Sequence, residues 1–190
     1  MPTGSIPVDT NSKTMRKLSP FAVPLILQCC LFLVPVNILV IGDWLGTGVQ
    51  WGLFRYLQSS VGNSLIFFTK YITYIANGTL TGRSALAAGF DIAASACLIL
   101  ALCILLFVYL KRSAGYVKAA AIVTIAAGCL FLLADMTLYG ISFSGPAGFA
   151  IPIGVPVILV CGWWMYRMEF PDADEGNADE EAVGETAETS

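Results

Sequence analysis

The chain contains no histidine, and only 12% of its 190 residues are charged. The absence of histidine removes the side chain that most often acts as a general base and as a transition-metal ligand. The charged fraction is about half of that in typical soluble domains, which excludes an ordinary soluble fold. Lysine and arginine are not clustered as a nucleic-acid surface would require. We therefore expect no nucleic-acid partner, no cofactor and no histidine-based catalysis.

Cysteines suitably spaced for a disulfide or a metal site are also missing. All six cysteines lie in hydrophobic stretches, none lies between residues 42 and 84, and there is no Cys-x-x-Cys motif. The adjacent Cys29 and Cys30 would diverge on a helix. Free cysteine is among the most buried residue types, so we expect these residues to act as small apolar side chains and to bind no metal. Thiol redox chemistry across a membrane is the alternative.

Hydrophobic residues are abundant, at 57% of the chain, and the mean hydropathy is +0.76. A helix of about 20 apolar residues spans the hydrocarbon core of a bilayer. Four stretches meet this requirement and are predicted to be membrane helices, namely residues 21–41, 85–110, 119–138 and 149–166. Pro24 and Pro35 lie in the first stretch and predict a kink there. The chain is thus predicted to be an integral membrane protein in contact with lipid.

The two ends of the chain differ in composition from its centre. Residues 1–19 are polar, and nine of the thirteen acidic residues lie between Glu169 and Glu188. Repelling charges without apolar periodicity are typical of disorder. We therefore expect a four-transmembrane domain over residues 20–168, between a disordered N-terminus (1–19) and a disordered acidic tail (169–190).

Residues 42–84 form the longest polar connection and are rich in aromatic and β-branched residues. Such residues favour half-buried strands. Asn77-Gly78 predicts a tight hairpin turn, because both residues tolerate positive φ. The predicted fold class is a membrane-embedded all-α four-helix bundle with a small extracellular antiparallel β-sheet between its first two helices.

The distribution of lysine and arginine predicts the orientation in the membrane. Seven of the ten lie before the first helix, between the second and third helices, or after the fourth. Positive residues stay cytoplasmic, so we expect a multi-pass cell-membrane protein with both termini in the cytoplasm and residues 42–84 outside. Asn77-Gly78-Thr79 is then a candidate N-glycosylation site, at Asn77, in the right compartment.

Two acidic residues, Asp91 and Asp135, lie inside predicted membrane helices. An ionised carboxylate in hydrocarbon costs at least about 2.5 to 3.5 kcal/mol, and usually faces the bundle interior or marks a function. The predicted orientation places both in the outer leaflet beneath the sheet, where the candidate basic partners are Arg55, Lys70 and Arg83. Three interpretations are open: a structural ion pair or hydrogen-bond cluster, a cation or proton site, and acids solvated at the interface.

The order of these parts resembles the claudin and peripheral myelin protein superfamily. In that superfamily the outer loop carries a tryptophan, then Gly-Leu-Trp, then two cysteines. Here Trp44 is followed by Trp51-Gly52-Leu53-Phe54, in which Phe54 stands at the tryptophan of the motif, and both cysteines are absent. The resemblance implies a sheet-capped four-helix bundle that acts through lateral or trans protein contacts, as a junction, adhesion or accessory subunit.

The predicted function is therefore non-enzymatic and depends on protein–protein contacts of the outer sheet and the helix faces. The partner is expected to be a second copy of the chain or another membrane protein. Candidate residues for contact or for packing of the loop are Trp44, Trp51, Gly52, Leu53 and Phe54. The alternative is a small cation or proton transporter or channel subunit that uses Asp91 and Asp135. A membrane thiol or quinone enzyme is a third, weaker interpretation.

The charge distribution predicts the outcome of a topology experiment. Reporter fusions after Lys118 and after Arg167 should both report the cytoplasm, because both positions belong to the lysine- and arginine-rich side. A tag inserted at Asn77 should be accessible on intact cells. A C-terminus that is labelled from outside would contradict the predicted number of membrane helices.

Overall fold

The computed structural model describes residues 21–42, 46–60, 62–111, 115–145 and 148–169. These residues form five helices and six strands. The helices are α1 (Ala22–Leu33), α2 (Phe68–Ala76), α3 (Gly82–Lys111), α4 (Gly115–Tyr139) and α5 (Gly154–Arg167). The strands are β1 (Asn37–Ile41), β2 (Gly46–Gln50), β3 (Phe54–Ser59), β4 (Gly62–Phe67), β5 (Ser144–Gly145) and β6 (Gly148–Ile151). Trp44, the N-terminus over residues 1–19 and the acidic tail beyond Glu169 lie outside the described residues.

The predicted antiparallel sheet is confirmed, and it is larger than expected. Its strand order is β4-β3-β2-β1-β6-β5, with every neighbouring pair antiparallel. β2, β3 and β4 come from the predicted outer loop, whereas β5 and β6 come from the connection between α4 and α5. Ile38 pairs with Ile151, so that β6 extends the sheet beside β1. The sheet thus joins two connections that are far apart in the sequence.

The helix predicted over residues 21–41 is wrong in its second half. α1 ends at Leu33, and residues Asn37–Ile41 form the strand β1. Pro35 explains the break, because proline disfavours the helical conformation in the residue before it, and Val34 has an extended ψ of 126°. Val36, the residue after Pro35, donates its N–H to the carbonyl of Gln50 at 2.6 Å. The chain therefore enters the sheet directly after Pro35.

The helix predicted over residues 149–166 begins later than expected. Residues Gly148–Ile151 form β6, and α5 starts at Gly154. Pro152 favours an extended conformation in the preceding residue, which suits the end of a strand. At the start of β6, Gly148 has φ of +123°, and a Cβ there would strike the Val40 carbonyl. Glycine thus allows β6 to lie against β1.

The hairpin predicted at Asn77-Gly78 is also wrong. Residues Phe68–Ala76 form α2 instead of a strand, and Asn77 is the C-cap of this helix. Gly78 follows with φ of +69°, the conformation that commonly ends a helix. Tyr71 is the buried residue of α2, and α2 packs against α3. Tertiary packing therefore overrides the β-favouring composition of this segment.

α3 and α4 match their predictions closely. They contain 30 and 25 residues, and the mean hydropathy of their most apolar stretches is 2.8 and 2.2, so each is long and apolar enough to cross a membrane. α1 and α5 contain 12 and 14 residues, fewer than the roughly 20 that a span requires. Among the described residues, the structure therefore contains two candidate spanning helices rather than the four predicted.

The helices pack side by side, with α3 against α4, α4 against α5, and α1 against both α3 and α5. One buried apolar cluster draws on all four of these helices; its largest members are Leu31, Leu98, Phe131 and Ile158. A separate cluster of Leu39, Tyr139 and Ala150 joins the sheet to the end of α4. The sheet is thus fixed to one end of the packed helices.

A glycine at the start of α5 generates a prediction about packing. A Cβ on Gly154 would lie 2.8 Å from the Val36 Cα and would also strike the Pro35 carbonyl oxygen. Backbone atoms cannot rotate away as side chains can. We therefore expect Gly154→Ala to lower the free energy of unfolding by about 1–3 kcal/mol, the usual cost of overpacking, measured by thermal melting in detergent.

Gly89→Ala is the matched control for this substitution. Gly89 lies on α3, and a Cβ there would meet nothing within 4 Å. Because alanine favours helix over glycine by about 1 kcal/mol, this variant should be as stable as the parent protein or slightly more stable. Equal melting of the two variants would argue against the close approach at Gly154.

Candidate functional site

Buried polar side chains gather where the sheet meets α3 and α4. We call them the polar cluster: Asn37 on β1, Gln50 on β2, Arg55 on β3, Asp91 and Ser95 on α3, and Asp135 on α4. Except for the partly buried Arg55, all of them are buried. Polar groups in such a place lower stability unless they are hydrogen-bonded. Their partners therefore determine what the cluster can do.

Asp91 has partners on both of its carboxylate oxygens. Gln50 donates its Nε2–H to Oδ1 at 3.0 Å, and Arg55 donates an Nη2–H to Oδ2 at 3.3 Å. Arg55 also donates its Nε–H to Gln50 Oε1 at 3.1 Å, and its Nη2 contacts the same oxygen. Gln50 and Arg55 lie directly opposite each other in the β2–β3 register. The three side chains therefore form a closed triangle that joins the sheet to α3.

Tyr71 of α2 completes the surroundings of Arg55. The guanidinium carbon lies 5.6 Å from the centre of the Tyr71 ring, a cation–π distance. Burial opposes the charge of Arg55, but the negative charges of Tyr71, where it ionises at high pH, and of Asp91 outweigh burial and raise the pKa of the guanidinium. Burial likewise raises the pKa of the Tyr71 phenol. Arg55 therefore remains a cation, Tyr71 remains neutral, and α2 is attached to the same triangle.

The residues of the Gly-Leu motif lie beside this triangle. Ser95 donates its hydroxyl to the Gly52 carbonyl at 2.6 Å, and a Cβ on Gly52 would lie 3.0 Å from Leu98. Trp51 and Phe54 stack with their ring centres 4.9 Å apart. The Leu53 carbonyl accepts the N–H of Phe68, the first residue of α2, at 3.0 Å. The motif thus packs the sheet against α3 and α2.

Asp135 has different partners from Asp91. Asn37 donates its Nδ2–H to Asp135 Oδ1 at 2.8 Å, which joins β1 to α4. The Arg55–Asp91 contact is the one ion pair among the residues that the structure describes. The two predicted intramembrane acids thus use separate primary partners: Asp91 contacts a cation, whereas Asp135 contacts a neutral amide.

The other predicted site residues lie apart from the polar cluster. Lys70 and Arg83 are exposed and contact neither acid, so Arg55 is the candidate cation that meets Asp91. Asn77 is exposed at the end of α2, and its glycosylation stays a prediction. Trp44 lies outside the described residues.

Several side chains at or near the polar cluster are not among the site residues predicted from the sequence. Asn37 and Gln28 are polar residues inside the apolar stretch 21–41, a signal that could have marked them. Gln28 is fully buried on α1, where it donates to the Leu98 carbonyl at 3.2 Å and accepts from Thr124 at 3.0 Å. Gln50 and Tyr71 carry no such signal, because polar and aromatic residues are ordinary in strands and surface helices.

A small cleft adjoins the cluster. Its lining includes Gln50, Arg55, Tyr71, Asp91 and Ser95, and it has room for about one water molecule. Within the described ranges, no three His, Cys, Asp or Glu side chains come together in a way that could hold a metal ion. The cleft is suited to a bound water rather than to an organic substrate.

No family model matches the chain, and no curated protein matches it. The function therefore has to be inferred from its own residues. The polar cluster joins three strands of the sheet, β1, β2 and β3, to the two long apolar helices α3 and α4. In Asp91, both carboxylate oxygens accept hydrogen bonds. Such an arrangement can hold a sheet in one orientation on a helical base.

Asp91 provides a test of this structural role. Asp91→Ala leaves Arg55 without its counter-ion, and breaking such a buried pair typically costs about 3–5 kcal/mol. Asp91→Asn keeps the volume and part of the hydrogen bonding, so its melting temperature in detergent should fall less. The control is Lys70→Ala at an exposed position, which should change stability by no more than about 0.5 kcal/mol. Identical melting of the parent, Ala and Asn proteins would rule out a structural ion pair.

Proposed function

We propose that the chain is an integral membrane protein that acts through protein–protein contacts of its sheet and does not catalyse a reaction. In this proposal α1, α3, α4 and α5 form a four-helix bundle in the membrane, with both termini in the cytoplasm and the sheet outside. The observation that carries the functional part is the apolar, unpaired outer edge of the sheet at β4.

The surface of the long helices supports a membrane location. Only 33% of the most apolar stretch of α3 and 44% of that of α4 is buried inside the protein. Large apolar side chains are exposed along both helices, including Leu100, Phe107, Ile122 and Leu133. Apolar surface on this scale is rare in monomeric soluble proteins. Lipid would cover it, and Trp163, Trp164 and Tyr166 near the end of α5 are of the type that anchors helices at the interface.

The outer edge of the sheet supports a binding function. β4 is the last strand of the sheet and therefore leaves one edge unpaired within the described residues. Leu65 and Phe67 on β4 are 45% and 47% exposed, and Ile72 on the adjoining α2 is 52% exposed. Tyr56, which pairs with Leu65 across the β3–β4 ladder, is exposed as well. Exposed apolar groups beside an open edge attract partner proteins.

The claudin-like assignment belongs to this proposal. The order of parts supports it, since β1 to β4 lie between α1 and α3 in the sequence, and the connection between α4 and α5 contributes β5 and β6 to the same sheet. Trp51, Gly52, Leu53 and Phe54 serve in packing rather than as free contact residues. The partner is a second copy of the chain or another membrane protein.

The alternative is a small cation or proton transporter or channel subunit that uses Asp91 and Asp135. One observation favours it, namely that Asp135 Oδ2 is buried without a hydrogen-bond partner among the described residues. Both carboxylate oxygens of Asp91 accept hydrogen bonds, from Gln50 and from Arg55, which favours the structural interpretation instead. The two functions therefore differ in what they require of Asp135.

Site-directed photo-crosslinking in native membranes tests the binding proposal. A photoreactive residue at Leu65 or Phe67 should yield a defined adduct, either a dimer or a complex with one other membrane protein. The double variant Leu65→Ser/Phe67→Ser should lose co-purification of that partner, while its melting temperature stays close to that of the parent, because surface changes usually alter stability by no more than about 0.5 kcal/mol.

Ile141→Ser is the matched control, since Ile141 is an exposed apolar residue in the turn between α4 and β5, away from β4. It should retain the partner. Adducts that form equally at Ile141 and Leu65 would contradict a specific edge surface. The transporter function would be established instead if the parent protein carries ions into proteoliposomes and Asp135→Asn abolishes this flux without a change in melting temperature.

A further inference from the structure

The pair Asn37 and Asp135 is incompletely hydrogen-bonded. One contact is made, from Asn37 Nδ2–H to Asp135 Oδ1 at 2.8 Å. The remaining oxygens, Asn37 Oδ1 and Asp135 Oδ2, have no partner among the described residues. Asn37 is 0% exposed and Asp135 is 4% exposed, so bulk water does not supply the missing donors. If Asp135 is ionised, two buried acceptors lack a hydrogen.

The charges around Asp135 are also unbalanced. The charged groups that act on it are Asp91 on α3 and Arg55 on β3, and Arg55 is paired with Asp91 at 3.3 Å. Tyr139 on α4 itself is the other titratable group that interacts with it. α1, β1 and β6 contain no charged residue, and α5 has only Arg167 at its far end. With both acids ionised, one cation would face two anions in a buried place.

We propose that Asp135 is a proton-binding site, in which the neutral carboxyl group and the Asn37 amide form a cyclic pair. In this pair the amide N–H donates to Oδ1, and the carboxyl O–H on Oδ2 donates to the amide oxygen. A single proton, bonded to Asp135 Oδ2 and donated to Asn37 Oδ1, thus satisfies both unpartnered oxygens. The positive charge of Arg55 is then matched by the negative charge of Asp91 alone. A proton suits this pair better than a metal ion, because no group of three His, Cys, Asp or Glu side chains that could hold a metal occurs in the described part of the chain. The site does not depend on the protein having a binding partner.

The bound proton links pH to the attachment of the sheet. Asn37 lies on β1, in the middle of the sheet, and Asp135 lies on α4. An aspartate in the unfolded chain releases its proton above about pH 4, whereas the folded protein holds this proton to higher pH. The contribution of the pair to stability is therefore complete below about pH 4, and it is lost as the pH rises through the range in which the folded protein releases the proton. A rise in pH thus favours separation of β1 from α4.

Infrared spectroscopy of the full-length protein in detergent tests the site. Exposed acids are ionised at neutral pH, so a carboxylic-acid C=O band under these conditions reports a buried neutral carboxyl. We expect such a band in the parent protein, with a shift to lower frequency in D₂O. Asp135→Asn should lose it completely, whereas Asp91→Asn should retain it. Absence of the band from the parent, or its survival in Asp135→Asn, would overturn the proposal.

Thermal melting from about pH 4 upward gives a second readout. The amide in Asp135→Asn can form both hydrogen bonds with Asn37, so this variant should lack the fall in melting temperature that the pair causes in the parent as the pH rises from about 4. An identical dependence of melting temperature on pH for the two proteins would count against the proton site. An infrared carboxylate band of the parent that changes on addition of Na⁺ or K⁺ would also count against it. If Asp135→Asn fails to fold, Asn37→Leu should shift the C=O band to higher frequency, and an unshifted band would reject the pair.

Discussion

The contact of Asp91 with Gln50 and Arg55 is the constraint on which the attachment of the sheet to the helices depends. The apolar cluster between the sheet and the end of α4 is small, with Leu39, Tyr139 and Ala150 as its buried members and Leu138 packed against them. Charged and amide side chains supply further attachment. Since a shift of β2 by one residue would turn Gln50 to the opposite face, the triangle also specifies the register of the strands.

The two acids on the long helices, Asp91 and Asp135, have different roles. Asp91 forms an ion pair with Arg55, and its removal leaves the partly buried Arg55 without a counter-ion. Asp135 accepts a hydrogen bond from the Asn37 amide, and its second oxygen, Oδ2, has no hydrogen-bond partner among the described residues. This asymmetry lets one acid maintain the structure while the other is free to respond to protons. It also separates the binding proposal, which depends on β4, from the chemistry of the polar cluster, which lies on other strands.

Much of the architecture could be predicted from composition and periodicity, but the identity of the short elements could not. α3 and α4 were predictable because 25 or more residues of sustained hydrophobicity leave few alternatives. Residues 37–41 were misassigned because a short buried strand and a helix segment have the same apolar composition. Asn77-Gly78 suits both a hairpin turn and the end of a helix, and the packing of Tyr71 decided between them. Asp91 and Asp135 are candidates from the sequence because charge is rare in apolar stretches, and Arg55 is one because it is among the three basic residues of the loop over residues 42–84. The roles of Gln50 and Asn37 became evident through their contacts.

The sequence by itself determined the long apolar helices α3 and α4, a strand-forming segment within residues 42–84 and two acids in apolar surroundings, because hydrophobicity and charge are properties of local composition. Only the tertiary structure decided where the first helix stops, that β6 joins the sheet beside β1, and which cation meets which acid. Those outcomes depend on contacts between residues far apart in the chain, such as Gln50 with Asp91 and Asn37 with Asp135. Local composition does not predict such pairs, because the two partners come together only when the chain folds.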